Sequence, residues 1–294
     1  MHRVLSFVVS VGLALAPSGV LAQAKAGPKV LQLQKKEPRV GDVEQVDMNT
    51  EMRMAFDITG PEMEAEALEM SSTEVSNYTL TVLAARKRII EQVKITFRDA
   101  GEVSVEGGQS TRTPSPVHGK SYLAGMTRGR LVVTDANGKA VSKEEAAVVK
   151  DLLPALGKVD PLEAALPDTP IKVGDSLARF AKALQDETLA QDDPSAQVRD
   201  TRVRLAEVVQ EARGPVGIFD VTTTFVIKAS AESPFEMTIP LEGKMSLLAD
   251  GAKLRDFSLS GPVKLVLTKE LRAQGLKAEG EGAMKLLMTD PTLK

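Results

Sequence analysis

The residue types that most often carry catalysis or bind metal ions are scarce in this sequence. The chain of 294 residues has no cysteine and two histidines, His2 and His118. His118 lies in the segment SPVHGK, where a lone imidazole is most simply a polar loop residue. Zinc and copper sites draw on clusters of histidine, cysteine and carboxylate ligands, so we expect no site for these metals. The absence of cysteine also excludes a thiol nucleophile and any disulfide.

Carboxylates are plentiful but show no pattern that is typical of a binding site. Asp192 and Asp193 could bind calcium, yet the alternating oxygen ligands of a calcium loop are missing around them. A solvated acidic loop is the simpler interpretation. A glycosidase needs only two well-placed carboxylates, which no sequence pattern excludes. Sugar-binding clefts commonly present aromatic rings, however, and this chain has no Trp, two Tyr and eight Phe.

The motifs of common enzyme families are absent as well. The sequence contains no Gly-x-Ser-x-Gly, no Ser-x-x-Lys, no Gly-x-Gly-x-x-Gly and no phosphate-binding loop. Gly280-Glu281-Gly282 lies in a strand-like context, where a bulge or a tight bend is the ordinary interpretation. We therefore expect a protein that is not an enzyme, has no catalytic residue and requires no cofactor.

Methionine is the residue type whose placement is unusual. Methionine side chains are flexible and polarizable, and surfaces that accept varied apolar partners use them often. Filling of a core that is poor in aromatic rings is the simpler explanation. If these side chains instead line an open face, that face would suit lipid tails or a lipidated peptide. The candidate apolar ligand face consists of Met52, Met54, Phe225, Met237 and Met245.

Long stretches of two-residue periodicity must position these side chains. Apolar residues occupy most odd positions of Phe235–Ala249 and most even positions from Val46 to Ile58. Such alternation predicts long strands with one buried face and one exposed face. Strands are expected over 43–134 and again over 198–289, with the acidic stretch Gly60–Thr73 as a solvated connector. The regular spacing of turns favours an antiparallel meander.

The periodicity becomes helical in the middle of the chain, over residues 142–186. Ser142 and Glu145 have the spacing of a capping box, and apolar residues follow at three-to-four spacing. A long sheet must twist and curl, and the amphipathic helices need a surface on which to bury their apolar stripes. We expect an α+β, β-dominated fold, with the meander curled into an open half-barrel and the helical segment packed on its concave face. Two packed β subdomains are the alternative.

The N-terminus has the pattern of a secretory signal peptide. A positive start, the apolar run Val4–Ala16 and compact residues at 20–22 predict cleavage after Ala22. We expect a signal peptide over 1–22, a flexible leader over 23–38, in which Val30–Leu33 could form a short strand, and a single β-rich domain over 39–294. No later segment is apolar enough for a transmembrane helix, and no cysteine is present for a lipid anchor. A formal net charge of −3 does not favour nucleic-acid binding, so we expect a soluble periplasmic or secreted protein.

Two stretches in the middle third of the chain, Pro114–Val149 and Asp160–Leu177, resemble a group of uncharacterised exported proteins common in myxobacteria. This resemblance implies export and implies no activity, ligand or site residue. The expected architecture is also similar in shape to the periplasmic lipoprotein-carrier half-barrel. A similarity of shape does not carry a function with it.

Three hypotheses about function follow. The first is an exported soluble binding protein whose concave apolar face holds a lipid-like or peptide ligand. The second is a cell-envelope interaction or structural protein with a filled core, whose partner is an envelope protein. The third is an enzyme, such as a carboxylate-based hydrolase. A cavity lined by the five residues of the candidate face would favour the first hypothesis, and a dense core there would favour the second.

Overall fold

The chain has an α+β fold that is dominated by β-strands. The computed structural model describes residues 29–61, 63–106, 108–188, 196–229 and 235–293. The predicted signal peptide and the Asp192-Asp193 pair lie outside the described residues. Within them, twelve strands form one antiparallel sheet and two short strands form a second.

Several strands are much longer than the strands of an average domain. The strands are β1 (Val30–Leu31), β2 (Val43–Gly60), β3 (Met63–Arg86), β4 (Ile89–Glu106), β5 (Gln109–Pro114), β6 (Ser121–Thr127), β7 (Arg130–Asp135), β8 (Ile171–Lys172), β9 (Ala196–Glu211), β10 (Gly214–Ile227), β11 (Phe235–Leu248), β12 (Lys253–Pro262), β13 (Lys264–Leu267) and β14 (Lys277–Thr289). Typical strands have about five or six residues, whereas β3 has 24.

The helices are short, and three of the four come between β7 and β9 in the chain. They are α1 (Lys143–Asp151), α2 (Pro161–Ala165), α3 (Ala178–Ala183) and α4 (Lys269–Ala273), with a π-helical turn at Leu184–Thr188 and a 3₁₀ turn at Pro291–Leu293. The predicted capping box at the start of α1 is confirmed. The Ser142 hydroxyl accepts from the Glu145 amide, and the Glu145 carboxylate accepts from the Ser142 amide.

The order of the strands sends the helical segment across the sheet. The main path through the sheet runs β7-β6-β4-β3-β2-β14-β12-β11-β10-β9. The chain therefore leaves the sheet at the edge strand β7 and re-enters it at the opposite edge, β9. The segment with α1, α2 and α3 must span the width of the sheet between these edges. The pairing of β2 with β14 joins the first meander to the second.

One face of the sheet is mostly apolar across eight of the ten strands of this path. Residues directly opposed in neighbouring antiparallel strands point to the same side. One row of such residues crosses eight strands and includes Met288 opposite Met48 at the junction of the two halves. The row is Leu205, Phe219, Met245, Phe257, Met288, Met48, Ser76 and Ala100.

The helices bury this apolar face in two separate places. In the C-terminal core, Phe180 and Leu184 pack with Phe219, Met245 and other residues of β9–β13 and β2. In the N-terminal core, helix α1 contributes Val149, which is packed with the aromatic residues of β3, β4 and β6. Those aromatic residues are Tyr78, Phe97 and Tyr122. Between the two cores, part of the sheet face is left without a helix packed on it.

One expectation from the sequence is wrong. The stretch Gly60–Thr73 is not a connector, because β3 begins at Met63 and pairs with β2 along nearly its whole length. In this part of the sheet β2 also pairs with β14 on its other side. In the leader over 23–38, Val30–Leu31 form β1, which pairs with β8, and both Leu31 and Leu33 are buried.

Candidate functional site

A large cavity lies on the apolar face of the sheet, at the gap between the two cores. Its volume is about 1000 Å³. One wall is formed by β3 and β4, with Leu80, Val82, Ile90 and Val93. The segment that links α1 to α2 forms the opposite wall. The linking segment contributes Leu152, Leu153, Pro154, Ala155, Leu156, Lys158 and Asp160, and the first residues of α2, Pro161, Leu162 and Glu163, continue this wall.

A second cavity, of about 350 Å³, continues the first toward the C-terminal core. It reaches Phe180, Leu184, Met245 and Phe257, which are buried core residues. We call the two cavities together the cleft. The residues that line both parts are Lys36, Glu44, Asp160, Leu162, Glu163, Gly251 and Lys253.

The N-terminal segment forms one rim of the cleft. Gln34 is bound to the turn after β11, because its amide donates to the Ala249 carbonyl and its carbonyl accepts from the Gly251 amide, both at 2.8 Å. Lys35 Nζ lies 2.7 Å from the Leu166 carbonyl and 2.7 Å from the Asp168 carboxylate. Residues 36–39 then run along the cavity before β2 begins.

Several of the charged side chains that line the cleft are paired with one another. Arg88 donates twice to Glu163 Oε1, at 2.7 and 3.0 Å. Lys36 donates to Asp250 Oδ2 at 2.6 Å. These pairs join segments from the two halves of the chain across the cleft and leave little net charge at their positions.

Glu44 has a different environment. It lies on the apolar side of β2, two residues before buried Val46 and opposite Leu80 of β3. No residue that the structure describes donates a hydrogen bond to its carboxylate. Burial raises the pKa of the Glu44 carboxyl above its ordinary value, and the charges of Asp290 and Asp160 raise it further, while Lys253 lowers it.

Glu44 is exposed and yet has a pKa raised by desolvation, and its place beside the cavity explains both properties. The residue is exposed because it borders the cavity. Its carboxyl is still desolvated, since the walls of the cavity displace much of the surrounding water. The neighbouring Tyr78 is buried, and burial together with the Glu44 charge raises the pKa of its phenol. Tyr78 therefore stays neutral beside the carboxylate.

The candidate ligand face inferred from the sequence lies mainly beside the cleft. All five residues belong to the C-terminal core, where Met54 and Met245 are buried and the other three are half-buried. Met245 lines the smaller cavity, and Met52, Met54, Phe225 and Met237 line neither of the two cavities described here. The alternation thus located the apolar face of the sheet but not the gap in its packing.

Sequence reasoning missed Glu44, although the sequence contains a signal. The even positions of β2 form its apolar series, and continuing that series backward from Val46 reaches Glu44. A carboxylate at a position expected to be buried is uncommon unless it has a partner or a function. The other cleft residues come from segments far apart in the chain, which local periodicity does not bring together.

His118 makes local contacts outside the cleft. Its Nδ1 accepts from the Ala100 amide at 3.2 Å and lies 3.2 Å from Asp99 Oδ1. Because Nδ1 already accepts a hydrogen bond, these contacts fit the ordinary loop role expected from the sequence. Among the residues that the structure describes, no group of three or more His, Cys, Asp or Glu side chains could hold a metal ion. None of the described helices has the length and apolar composition needed to cross a membrane.

Fold and site together define a β-dominated α+β protein with a cleft on the apolar face of its sheet. No family model matches the chain, and no curated protein matches it significantly. DynF from the dynemicin biosynthesis pathway of Micromonospora chersina is similar over 94% of this chain and 96% of its own, with 7% identity and a TM-score of 0.23. A DUF1329 family protein from Desulfovibrio piger is similar over 83% and 85%, with 6% identity and a TM-score of 0.12. Scores this low carry no argument about fold or function.

Proposed function

We propose that this chain is an exported, soluble, non-enzymatic protein that binds a lipid-like ligand in the cleft. The observation that carries the proposal is the cavity of about 1000 Å³ with apolar walls, on a sheet face that is otherwise covered. Pockets for small ligands commonly measure about 300–1000 Å³ and have mostly apolar walls with a few polar groups. The larger cavity falls in this size range, and 16 of the 28 residues that line it are apolar or glycine, while the other twelve are charged.

The finer architecture forms part of the same proposal. We propose that the sheet curls into an open half-barrel, with the central helical segment on its concave face and the cleft at the centre of that face. The long strands support this idea, because long twisted strands curl. The packing of α1 and α3 on one side of the sheet supports it as well.

Export and localisation remain proposals too. The signal-peptide pattern over 1–22 supports a periplasmic or secreted protein, as does the resemblance of Pro114–Val149 and Asp160–Leu177 to exported myxobacterial proteins. Intact mass of the protein recovered from the periplasm and from the medium would test both points. A mass that begins at Gln23 supports cleavage after Ala22, and an uncleaved cytoplasmic chain would contradict export.

Native mass spectrometry followed by organic extraction tests the proposed binding. The protein is purified without detergent from its own periplasm or medium and compared with the variant Leu80→Trp, which places an indole in the cavity. We expect an adduct of defined mass on the wild type, released by solvent and reduced several-fold in the variant. A clean apo mass, together with no thermal shift from a panel of lipids, would contradict the proposal.

A filled core favours a second candidate, the envelope interaction protein. Met54 and Met245, two of the residues first considered as a ligand face, are buried within the C-terminal core. A core of this kind can serve a scaffold whose partner is an envelope protein. Crosslinking in intact cells would then recover one envelope protein, and the same Leu80→Trp variant would leave the crosslink unchanged.

A further inference from the structure

We propose that Glu44 is the head-group site of the cleft and that the ligand is an amphiphile carrying a primary ammonium group. This inference rests on the proposed function and assigns the chemistry of its ligand. An alkyl chain would lie along the apolar wall formed by Leu80, Ile90 and Val93. The ammonium group would lie at Glu44, where the larger and the smaller cavity meet.

The hydrogen-bond partners in the cleft single out Glu44. Arg88 donates to Glu163, and Lys36 donates to Asp250. Asp160 accepts from the Leu162 and Glu163 amides at the start of α2. Asp290 accepts from the Thr292 amide at 2.9 Å and from the Thr292 hydroxyl at 2.6 Å. Among the carboxylates that line the cleft, Glu44 and Glu37 have no donor within the described residues, and of these two only Glu44 borders both cavities and lies within a strand.

The charges around Glu44 favour a cation over an anion. Asp290 and Asp160 act on the Glu44 carboxyl with the same sign of charge, and Lys253 is the cation that opposes them. Asp290 raises the pKa of Glu44 more than Lys253 lowers it, and Asp160 adds to the effect of Asp290. An ammonium group bound in the cleft would donate to a carboxylate that has no donor among the described residues, and charge-assisted hydrogen bonds of this kind are the strong ones.

The cation is organic rather than a metal ion. The described residues contain no group of three or more side chains able to coordinate a metal. A primary ammonium group has three donors and needs no closed coordination shell. The Glu44 carboxylate, which borders both cavities, offers two acceptor oxygens to such a group. The apolar wall next to them accepts the attached hydrocarbon.

Head-group preference tests the inference on the full chain. Decylamine, 1-decanol and decyl sulfate have equal chains and are titrated below their aggregation concentrations by calorimetry. We expect wild-type protein to prefer decylamine over 1-decanol by about tenfold, as one charge-assisted hydrogen bond predicts. Glu44→Gln should bring that ratio to within twofold and keep the affinity for 1-decanol. Glu242→Gln is the matched control, because this exposed residue of β11 lines neither cavity and the change removes the same charge.

The outcomes separate the two proposals. Equal affinities for decylamine and 1-decanol, or tighter binding of decyl sulfate, would overturn the ammonium site and leave a lipid-binding cleft. A preference that survives in Glu44→Gln would overturn the role of this residue. Failure of all three compounds to bind would contradict the proposed function itself. The wild-type ratio decides the ligand class even if the variant does not fold.

Discussion

The Tyr122 hydroxyl donates a hydrogen bond to Glu145 Oε1 at 2.9 Å and thereby joins strand β6 to helix α1. Lys120 Nζ donates to the same oxygen at 2.9 Å, while Glu145 Oε2 accepts from the Ser142 amide. One carboxylate therefore caps its own helix and attaches that helix to the sheet. The segment that follows α1 lines the cleft from Leu152 onward, so this contact lies next to one wall of the cleft.

The first prediction concerns acid. The hydrogen bonds from Lys120, from the Ser142 amide and from Tyr122 lower the pKa of Glu145 from 4.5 to about 2. A depressed pKa contributes stability that is full above the unfolded value and is lost as the pH falls from about 4.5 toward 2. Thermal melts across this range should show a shallower loss for Glu145→Gln than for wild type. Tyr122→Phe should lower Tm at pH 7 by about 2–4 °C, the shift expected for one lost hydrogen bond. Parallel acid profiles of the wild type and Glu145→Gln would contradict this account.

The second prediction concerns strands that approach closely. An ideal Cβ on Gly243 would lie 1.9 Å from the Ser258 carbonyl oxygen, and one on Gly261 would lie 1.8 Å from the Pro240 carbonyl oxygen. Both neighbours are backbone atoms of paired strands, which cannot rotate away. Gly243→Ala and Gly261→Ala should each lower the free energy of unfolding by about 3 kcal/mol, as overpacking does. Denaturant titration measures this loss.

Gly125→Ala is the control for these glycine variants. Gly125 is also in a strand, but its nearest neighbour is the flexible Gln92 side chain, with Cγ at 3.2 Å from the ideal Cβ position. We expect a change of less than about 1 kcal/mol, because the Gln92 side chain can move. Equal effects at Gly125 and Gly243 would show that the strand approach is not what excludes a side chain.

The local elements could be predicted because their residues carry the information themselves. Alternation predicted strands at Val43–Ile58 and Phe235–Ala249, and the structure has β2 at Val43–Gly60 and β11 at Phe235–Leu248. The Ser142–Glu145 spacing predicted the start of α1. In each case short-range sterics and burial decide the conformation.

The long-range features could not be predicted in this way. Periodicity shows which face of β2 is apolar, but nothing in residues 47–59 specifies pairing with residues 277–289 of β14. The cleft combines residues 36–44, 152–163 and 248–253, which meet only after that pairing forms. Glu44 was recognisable as an unusual residue in an apolar series, but not as part of a cavity.

The third prediction concerns the packed leader. Leu31 is fully buried, and its Cδ2 lies against Gly217, where an ideal Cβ would be 2.3 Å away. Leu31→Ala should cost about 2–5 kcal/mol, as removal of a buried leucine does. Val30→Ala is the matched control in the same strand, because Val30 is 45% exposed and a surface change costs about 0.5 kcal/mol or less. Denaturant unfolding distinguishes the two, and equal small effects would mean that the leader is flexible after all.

The fourth prediction separates the core from the cleft. Met54 is buried in the C-terminal core and lines neither cavity, whereas Leu80 lines the larger one. Met54→Ala should lower the free energy of unfolding by about 2–4 kcal/mol and leave the affinity for 1-decanol within twofold. Leu80→Trp should lower that affinity by about tenfold or more, because the indole occupies the space of the alkyl chain. Calorimetric titration at a temperature where both variants are folded makes the comparison. Loss of affinity in Met54→Ala alone would move the ligand to the methionine face.

The last prediction concerns the stability of the unliganded protein. Desolvation raises the pKa of Glu44 above 4.5, Asp290 and Asp160 raise it further, and Lys253 opposes them. A raised carboxyl pKa means that the folded state holds the proton more tightly, so stability falls as the pH rises from about 4.5 through the folded-state value. Glu44→Gln removes this loss and should raise Tm at pH 7 by about 2 °C, with no gain at pH 4. Decylamine should also raise the Tm of wild type at pH 7, by an amount that grows with its concentration relative to Kd. Thermal melts at both pH values, with Glu242→Gln as the control, measure the effect. A lower Tm of Glu44→Gln at pH 7 would show that the carboxylate stabilises the fold, and the residue would then have a structural role.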